Sequence, residues 1–205
     1  MFVDTHCHLF SPEFKDDLDS VINNARSGGV DYIIVPATDI NTSDKVLELV
    51  DKYDFIYGAV GVHPHETKNW TSSICDNIES LAANKKIVAI GEIGLDYFYD
   101  FSPKEKQLEA FKDQLDLALK LNLPVIIHNR DADEDMMNII SAYAGSGLRA
   151  QFHCFSSTLQ NAKDLIQMHH FLSFTGNITF NKMDTLRNVV SNIGLDHILL
   201  ETDSP

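Results

Sequence analysis

Eight apolar runs of strand length recur along the chain, and stretches with helical periodicity separate them. Several runs are almost continuously apolar, which is typical of parallel strands that are buried on both faces. The eight predicted strands comprise residues 1–9, 32–37, 56–62, 87–93, 124–128, 150–155, 172–178 and 198–202. This repeated alternation predicts an α/β fold, a (β/α)8 barrel of the TIM type. An open doubly wound sheet is the alternative, and it is disfavoured because no glycine-rich phosphate loop follows the first strand.

The clearest predicted helices carry an apolar stripe and recognisable ends. Leu18, Val21, Ile22 and Ala25 lie on one helical face, and Gly28-Gly29 ends that helix. The sequence 102–105 combines an N-cap serine, a proline and a capping-box glutamate. Further stripes lie within 136–143, 159–166 and 186–190. Because the chain stops directly after the eighth predicted strand, we expect the barrel to lack its terminal helix.

Size and charge limit the possible functions. The 205 residues, of which 44% are hydrophobic, are enough for one core and predict a single domain over 1–205. The net charge of −14 excludes a binder that depends on a broad basic face. It does not exclude a nucleic-acid enzyme whose local positive charge comes from bound metal ions. Three cysteines, no signal peptide and no long apolar span predict a cytoplasmic protein without membrane contact.

Polar side chains cluster at the carboxyl ends of the predicted strands, where a barrel carries its active site. Pairs that share a strand are two residues apart and therefore face the same side. In strand order the residues are His6 and His8, His63 and His65, Glu92, His128 and Arg130, His153, and Glu201 and Asp203. Six of the nine histidines are in this set. The clustering indicates one polar pocket that carries chemistry.

The residue types indicate a metal centre with two ions. Imidazole and carboxylate ligands without thiolate suit Zn²⁺, Mn²⁺, Co²⁺ or Fe²⁺ and tolerate Mg²⁺. The set offers about six ligands, whereas one catalytic ion takes roughly three from a protein. Two ions that share a carboxylate would account for the larger number. Glu92 stands alone at its strand end and is the natural bridge. Two ions about 3.5–4 Å apart would generate hydroxide near neutral pH and stabilise a leaving oxygen.

Together these motifs resemble the TatD-related deoxyribonucleases, a branch of the amidohydrolase-like metal-dependent hydrolases. The matching segments are 2–9, 61–65, 91–97, 127–130, 153–156, 175–178 and 199–205, in one order over the whole chain. The resemblance implies a (β/α)8 barrel, divalent metal ions and hydrolysis of phosphodiester bonds in DNA, at ends or in single strands.

Site roles are carried over from this resemblance by position. One metal is expected on His6, His8, Glu92 and Asp203, and the second on Glu92, His128 and His153. Asp203 is expected to double as general base, and Asp203 and Glu92 are therefore the expected catalytic residues. His63 and Arg130 look like phosphate partners. Glu201, Asp96 and His65 are expected just outside the ligand set.

The chain departs from the family pattern at two places. Ser157 stands where the family usually has glycine, and it would strain the loop if that position had a positive φ. The family normally continues beyond Pro205 with a loop and one or more helices. We therefore expect residues 1–205 to be a fragment of a longer protein, or to have the gap filled by another chain.

Three functions remain open from the sequence. The first is a metal-dependent nuclease acting on DNA. The second is an ester, lactone or amide hydrolase on the same barrel, including an aminoacyl-tRNA deacylase, because activated hydroxide attacks carbonyl and phosphoryl centres alike. The third is a truncated barrel that binds metal without turnover. Related barrels often bridge their metals with a carboxylated lysine, and the absence of a lysine at any predicted strand end favours the Glu92-bridged nuclease.

Overall fold

A computed structural model describes all 205 residues and arranges eight parallel strands in one sheet, in chain order. The strands are β1 (Phe2–Asp4), β2 (Val30–Pro36), β3 (Ile56–Val60), β4 (Ile87–Asp96), β5 (Val125–Arg130), β6 (Ala150–Phe152), β7 (Phe171–Phe174) and β8 (Ile198–Leu200). The helices are α1 (Leu18–Ser27), α2 (Ile40–Lys52), α3 (Ile74–Ala82), α4 (Lys104–Leu121), α5 (Asp133–Ala142), α6 (Leu159–Gln167) and α7 (Asp184–Ser191). The predicted (β/α)8 barrel is confirmed. No α-helix follows β8.

Hydrogen bonds between the first and last strands nearly close the barrel. The backbone N–H of Thr5 donates to Leu200 (3.1 Å), and that of Asp203 donates to His6 (2.9 Å). Just beyond β1, the N–H of His8 donates to the carbonyl of Ser204 at 2.7 Å. These contacts bring residues almost 200 positions apart in sequence to one side of the barrel mouth.

The longest strand, β4, runs further than the sequence predicts and carries two buried carboxylates, Glu92 and Asp96. Its pairing with β5 is irregular between Ile90 and Ile93. In this stretch the N–H of Glu92 donates instead to Ala37 at 2.8 Å. The irregularity re-aims the chain at the barrel mouth, as bulges next to active sites commonly do.

The apolar core lies mainly between the sheet and the surrounding helices. One cluster of 39 buried residues includes the large side chains of Trp70, Phe111 and Phe152. A separate small cluster of Ala59, Ala89 and Ile126 is buried as well. No helix combines the length and apolar character that crossing a bilayer requires.

The capping box predicted at Ser102 is wrong. Helix α4 begins at Lys104, and Ser102 makes no capping hydrogen bond. Its hydroxyl instead donates to the carbonyl of His65 at 2.7 Å, which ties the loop before α4 to the loop after β3. The Ser102 hydroxyl thus makes a tertiary hydrogen bond instead of the local hydrogen bond that would cap α4.

Apolar side chains are exposed on the first and last strands. Phe2 is 56% exposed and Leu200 is 54% exposed. The expectation that a further segment or another chain covers this region stays a prediction.

The first testable prediction concerns Gly94, which lies between the two carboxylates of β4. Its φ is +146°, and a Cβ there would lie 2.0 Å from the carbonyl oxygen of His128. Gly94→Ala should therefore force β4 and β5 apart and lower the free energy of unfolding by about 3 kcal/mol or more. Gly145→Ala is the control, because Gly145 also has a positive φ (+78°) but a Cβ there meets nothing within 4 Å. Equal losses in chemical denaturation would contradict the steric argument.

Candidate metal centre

Glu92 is the centre of the polar cluster at the barrel mouth, and its side chain is only 3% exposed. Its Oε2 lies 3.3 Å from His6 Nε2 and 3.6 Å from His8 Nε2. Its Oε1 lies 2.9 Å from His153 Nε2 and 3.0 Å from His128 Nδ1. The two oxygens of one carboxylate thus face two separate groups of imidazoles.

The first group consists of His6, His8 and Asp203 around Glu92 Oε2. The two Nε2 atoms are 3.1 Å apart, and Asp203 Oδ1 lies 3.7 Å from His6 Nε2 and 3.8 Å from His8 Nε2. Four ligands at about 2.1 Å from a tetrahedral cation are separated from one another by about 3.4 Å. The separations in this group therefore have the size of one coordination sphere.

The second group consists of His128 and His153 around Glu92 Oε1. The His128 Nδ1 and His153 Nε2 atoms are 3.2 Å apart, so the three potential ligand atoms form a nearly equilateral triangle. Three protein ligands with an open side are typical of a catalytic metal position. The structure brings together all six residues that the sequence predicts as ligands.

Two carboxylates, Asp96 and Glu201, lie behind the candidate ligand histidines. Asp96 Oδ2 lies 2.9 Å from His128 Nε2 and 2.9 Å from His65 Nε2. Glu201 Oε1 lies 3.9 Å from His153 Nδ1 and accepts the N–H of Cys154 at 2.5 Å. The hydrogen bond with Asp96 fixes which ring nitrogen His128 presents to Glu92, whereas His153 Nδ1 has no hydrogen-bond partner. Asp96, His65 and Glu201 thus lie beside the candidate ligands.

Sequence reasoning missed Asp4, a buried carboxylate that joins β1 to the segment after β8. Its Oδ1 accepts the N–H of His6 (3.3 Å) and of Thr202 (3.0 Å), and its Oδ2 accepts the Thr202 hydroxyl (2.7 Å). Burial raises the pKa of Asp4 despite these hydrogen bonds. Its sequence signal was an aspartate inside an otherwise apolar strand.

Cys7 separates the two histidines of β1 and faces the other way. It is 4% exposed and packs within the apolar core. Burial raises the pKa of its thiol to about 12. The alternation predicted for His6, Cys7 and His8 is therefore present.

The charge states in the cluster suit cation binding. Burial lowers the pKa of His6 to about 3, so its ring is neutral at neutral pH and one ring nitrogen has a lone pair for a cation. Burial would raise the pKa of Glu92, but the imidazoles of His153, His63 and His6 hold it well below its usual range. Burial disfavours a charged His153, but Glu92 raises its pKa to about 9. A cation would compete with that proton for the same nitrogen.

A pocket of about 360 Å³ opens above the cluster. Arg130 and His63 line it together with five of the six candidate ligands, all except His6. The Nδ1 atom of His63 accepts the N–H of His65 at 3.2 Å, which places the proton of a neutral ring on Nε2. Burial keeps His63 neutral by lowering its pKa well below the usual value. His63 Nε2 is therefore a hydrogen-bond donor rather than a ligand in this tautomer.

The strain considered at Ser157 does not arise, because its φ is not positive. Cys154 (φ 43°) and Asp203 (φ 56°) have the left-handed conformation instead. The Ser157 hydroxyl donates to Asp133 at 2.6 Å, which holds the loop after β6 against α5.

Comparisons with known proteins agree with this geometry. A family model described as TatD related DNase matches residues 3–205. The chain is 40% identical over 205 residues to the uncharacterized metal-dependent hydrolase YabD of Bacillus subtilis, covering 100% of this chain and 80% of that protein. It is 34% identical to the 3'-5' ssDNA/RNA exonuclease TatD of Cronobacter turicensis, covering 98% and 77%. The crystal structure of YjjV, a TatD homologue from Escherichia coli, has a TM-score of 0.91 at 33% identity, covering 98% and 78%.

The second prediction concerns metal content. If Glu92 is shared by two positions, the wild type should bind two Mn²⁺ or Zn²⁺ ions per chain in metal analysis after dialysis. Asp203→Asn should lose or weaken one ion, and Glu92→Ala should lose both, because each removes ligands from the corresponding groups. Asp54→Asn removes an equal charge from a fully exposed position and serves as control. One ion per chain in both the wild type and Asp203→Asn would contradict the shared carboxylate.

Proposed function

Because the chain belongs to the TatD related DNase family, we propose that it is a divalent-metal-dependent nuclease that hydrolyses phosphodiester bonds in DNA, at ends or in single strands. The observation that supports this most is the Glu92 carboxylate shared between two imidazole groups beneath a pocket that contains Arg130. The name of the relative from Cronobacter turicensis extends the proposed substrates to single-stranded RNA.

Two divalent ions, of Zn, Mn, Mg or Co, fit the donor set described above. We assign His6, His8, Glu92 and Asp203 to one ion and Glu92, His128 and His153 to the other. When bound, such ions polarise a phosphoryl group and make water a better nucleophile near neutral pH. The protein supplies everything else: it positions the substrate, orients the ligands and moves the proton.

Asp203 is the proposed proton acceptor. Its side chain is 35% exposed, whereas Glu92 is buried, so only Asp203 can exchange a proton with solvent. Burial raises the pKa of Asp203, which makes it a stronger base than an ordinary aspartate. Asp203 would take a proton from the attacking water and return it to the leaving oxygen.

Arg130 and His63 are the proposed phosphate partners. The Arg130 guanidinium lies in the pocket wall and carries a permanent positive charge. His63 lines the same pocket, and its Nε2 lies 3.5 Å from Glu92 Oε1. Donors from both residues would hold the phosphate against the ligand cluster.

Three free cysteines fit a reducing compartment, and we place the enzyme in the cytoplasm on that basis. Hydrolysis of an ester, lactone or amide, including deacylation of aminoacyl-tRNA, would use the same ligands. The exposed arginine beside the ligand cluster suits an anionic phosphodiester better than a neutral carbonyl substrate. A barrel that binds metal without turnover is the remaining alternative.

The third prediction tests the reaction. The wild type should shorten labelled single-stranded oligonucleotides when Mn²⁺ or Mg²⁺ is added and should be inactive with a chelator. Glu92→Ala should lower the rate by about 10³-fold or more, because it removes a ligand from both positions. Asp54→Asn should cleave at the wild-type rate. Near-normal turnover by Glu92→Ala would show that the assignment is wrong, and faster hydrolysis of aminoacyl-tRNA than of oligonucleotides would favour the carbonyl hydrolase.

The fourth prediction separates substrate binding from metal binding. Arg130→Ala should raise the KM for an oligonucleotide about 10- to 100-fold, which corresponds to one lost hydrogen bond to a charged group. Its metal content should equal that of the wild type, since Arg130 contacts phosphate and not the ions. Arg130→Lys should recover part of the loss, because lysine keeps the charge without the planar fork. Loss of metal from Arg130→Ala would contradict this role.

A further inference from the structure

Three aromatic side chains lie in the loop between β4 and α4, next to the pocket. Phe98 is 55% exposed, Tyr99 is 40% exposed and Phe101 is 59% exposed. Tyr99 also lines the pocket, so the aromatic surface continues directly into the proposed active site. Exposed apolar groups that are clustered in this way commonly mark a binding surface. The polar residues predicted at the six strand ends do not account for them.

The rings are arranged with specific geometry. Tyr99 and Phe101 stack with their centroids 5.4 Å apart and their planes at 21°. The Arg130 guanidinium lies 4.2 Å from the centroid of Phe98 and 5.0 Å from that of Tyr99. Arg130, the proposed phosphate partner, thus packs against the aromatic cluster. A phosphate on Arg130 would place the neighbouring nucleoside close to these rings.

Hydrogen bonds hold the aromatic loop in place before any substrate binds. Asp96 Oδ1 accepts the N–H groups of Phe98 and Tyr99, each at 3.0 Å. The side-chain amide of Gln107 donates to the carbonyls of Asp96 and Ser102, each at 3.0 Å. A surface that is already ordered loses little conformational entropy on binding. The loop is therefore suited to recognition rather than merely exposed.

The charge of the protein indicates what such a surface would bind. With a net charge of −14, the chain repels the phosphate backbone outside the immediate ligand cluster. Affinity for a nucleic acid must then come from contacts that do not depend on charge. Stacking of a base on an aromatic ring is such a contact, and it is available only to an unpaired base.

We propose that Tyr99 and Phe101 form a stacking platform for an unpaired nucleobase next to the phosphate under attack. The inference rests on the proposed nuclease function and deepens it, because it assigns the preference for single strands to two residues. The base stacks on the Tyr99–Phe101 pair, and its phosphate contacts Arg130. Because every base has an aromatic face, the platform is tolerant of base sequence.

The test uses Phe101→Ala, since Phe101 is the most exposed of the three rings and the Arg130 guanidinium lies over Phe98 and Tyr99 instead. The probes are a labelled oligothymidine and the same strand with abasic sugars near its 3′ end. Loss of one stacking contact should lower kcat/KM for oligothymidine about 5- to 150-fold. Phe101→Ala should leave kcat/KM for the abasic strand and the metal content unchanged. Phe101→Trp should restore oligothymidine cleavage.

Phe2→Ala is the matched control, because Phe2 has a similar exposure (56%) and begins β1, at the end of the strand opposite the pocket. It should cleave both strands like the wild type. Equal losses on both strands would overturn the platform, since they would mean that Phe101 only positions His65, whose ring lies 4.8 Å away. If Phe101→Ala cleaves oligothymidine at the wild-type rate, the stacking platform is overturned but the proposed nuclease function is not. A wild type that cleaves neither strand would overturn the proposed function and this inference with it.

Discussion

The buried carboxylate of Glu92 can exist inside this barrel only because imidazoles from four strand ends surround it. A lone carboxylate removed from water costs several kcal/mol, and the structure offsets that cost by placing nitrogen atoms within 2.9–3.6 Å of its two oxygens. The histidines depend equally on Glu92, because crowded imidazoles repel one another once protonated. Neither partner is stable in this environment without the other, so the polar cluster behaves as one unit. Cations that replace the protons fit the same arrangement.

The cluster also depends on how the barrel closes. His6 and His8 lie at the start of the chain and Asp203 at its end, and they meet only because β1 and the residues after β8 hydrogen-bond to each other. Asp4 strengthens that junction by accepting hydrogen bonds from Thr202 while also holding the backbone of His6. Contacts between such distant residues are costly to form, since a long loop must close first. The geometry of the site therefore depends on the same hydrogen bonds that close the barrel.

Asp96 links the ligand cluster to the outer edge of the pocket. One of its oxygens faces His128 and His65, and the other accepts the backbone N–H groups that begin the aromatic loop. Burial would raise the pKa of Asp96, but these hydrogen bonds keep the pKa well below its usual range. An ionised Asp96 thus orients a ligand and the loop at once. The position of the aromatic loop and the orientation of His128 consequently depend on the same residue, Asp96.

The sequence by itself determined the barrel and the clustering of polar residues at its strand ends, because both follow from local periodicity. The choice of six candidate ligands among those residues came from the family resemblance. Apolar runs report buried strands, and residues two apart at a strand end share a face, as with His6 and His8 or Glu201 and Asp203. Only the tertiary structure decided the role of Asp4, the use of Ser102 against His65 and the stacking of Tyr99 on Phe101. It also decided the tautomer of His63 and the irregular pairing at Glu92. These features depend on contacts between distant segments and on competition between hydrogen-bond partners, and neither is encoded in the spacing of residues along the chain.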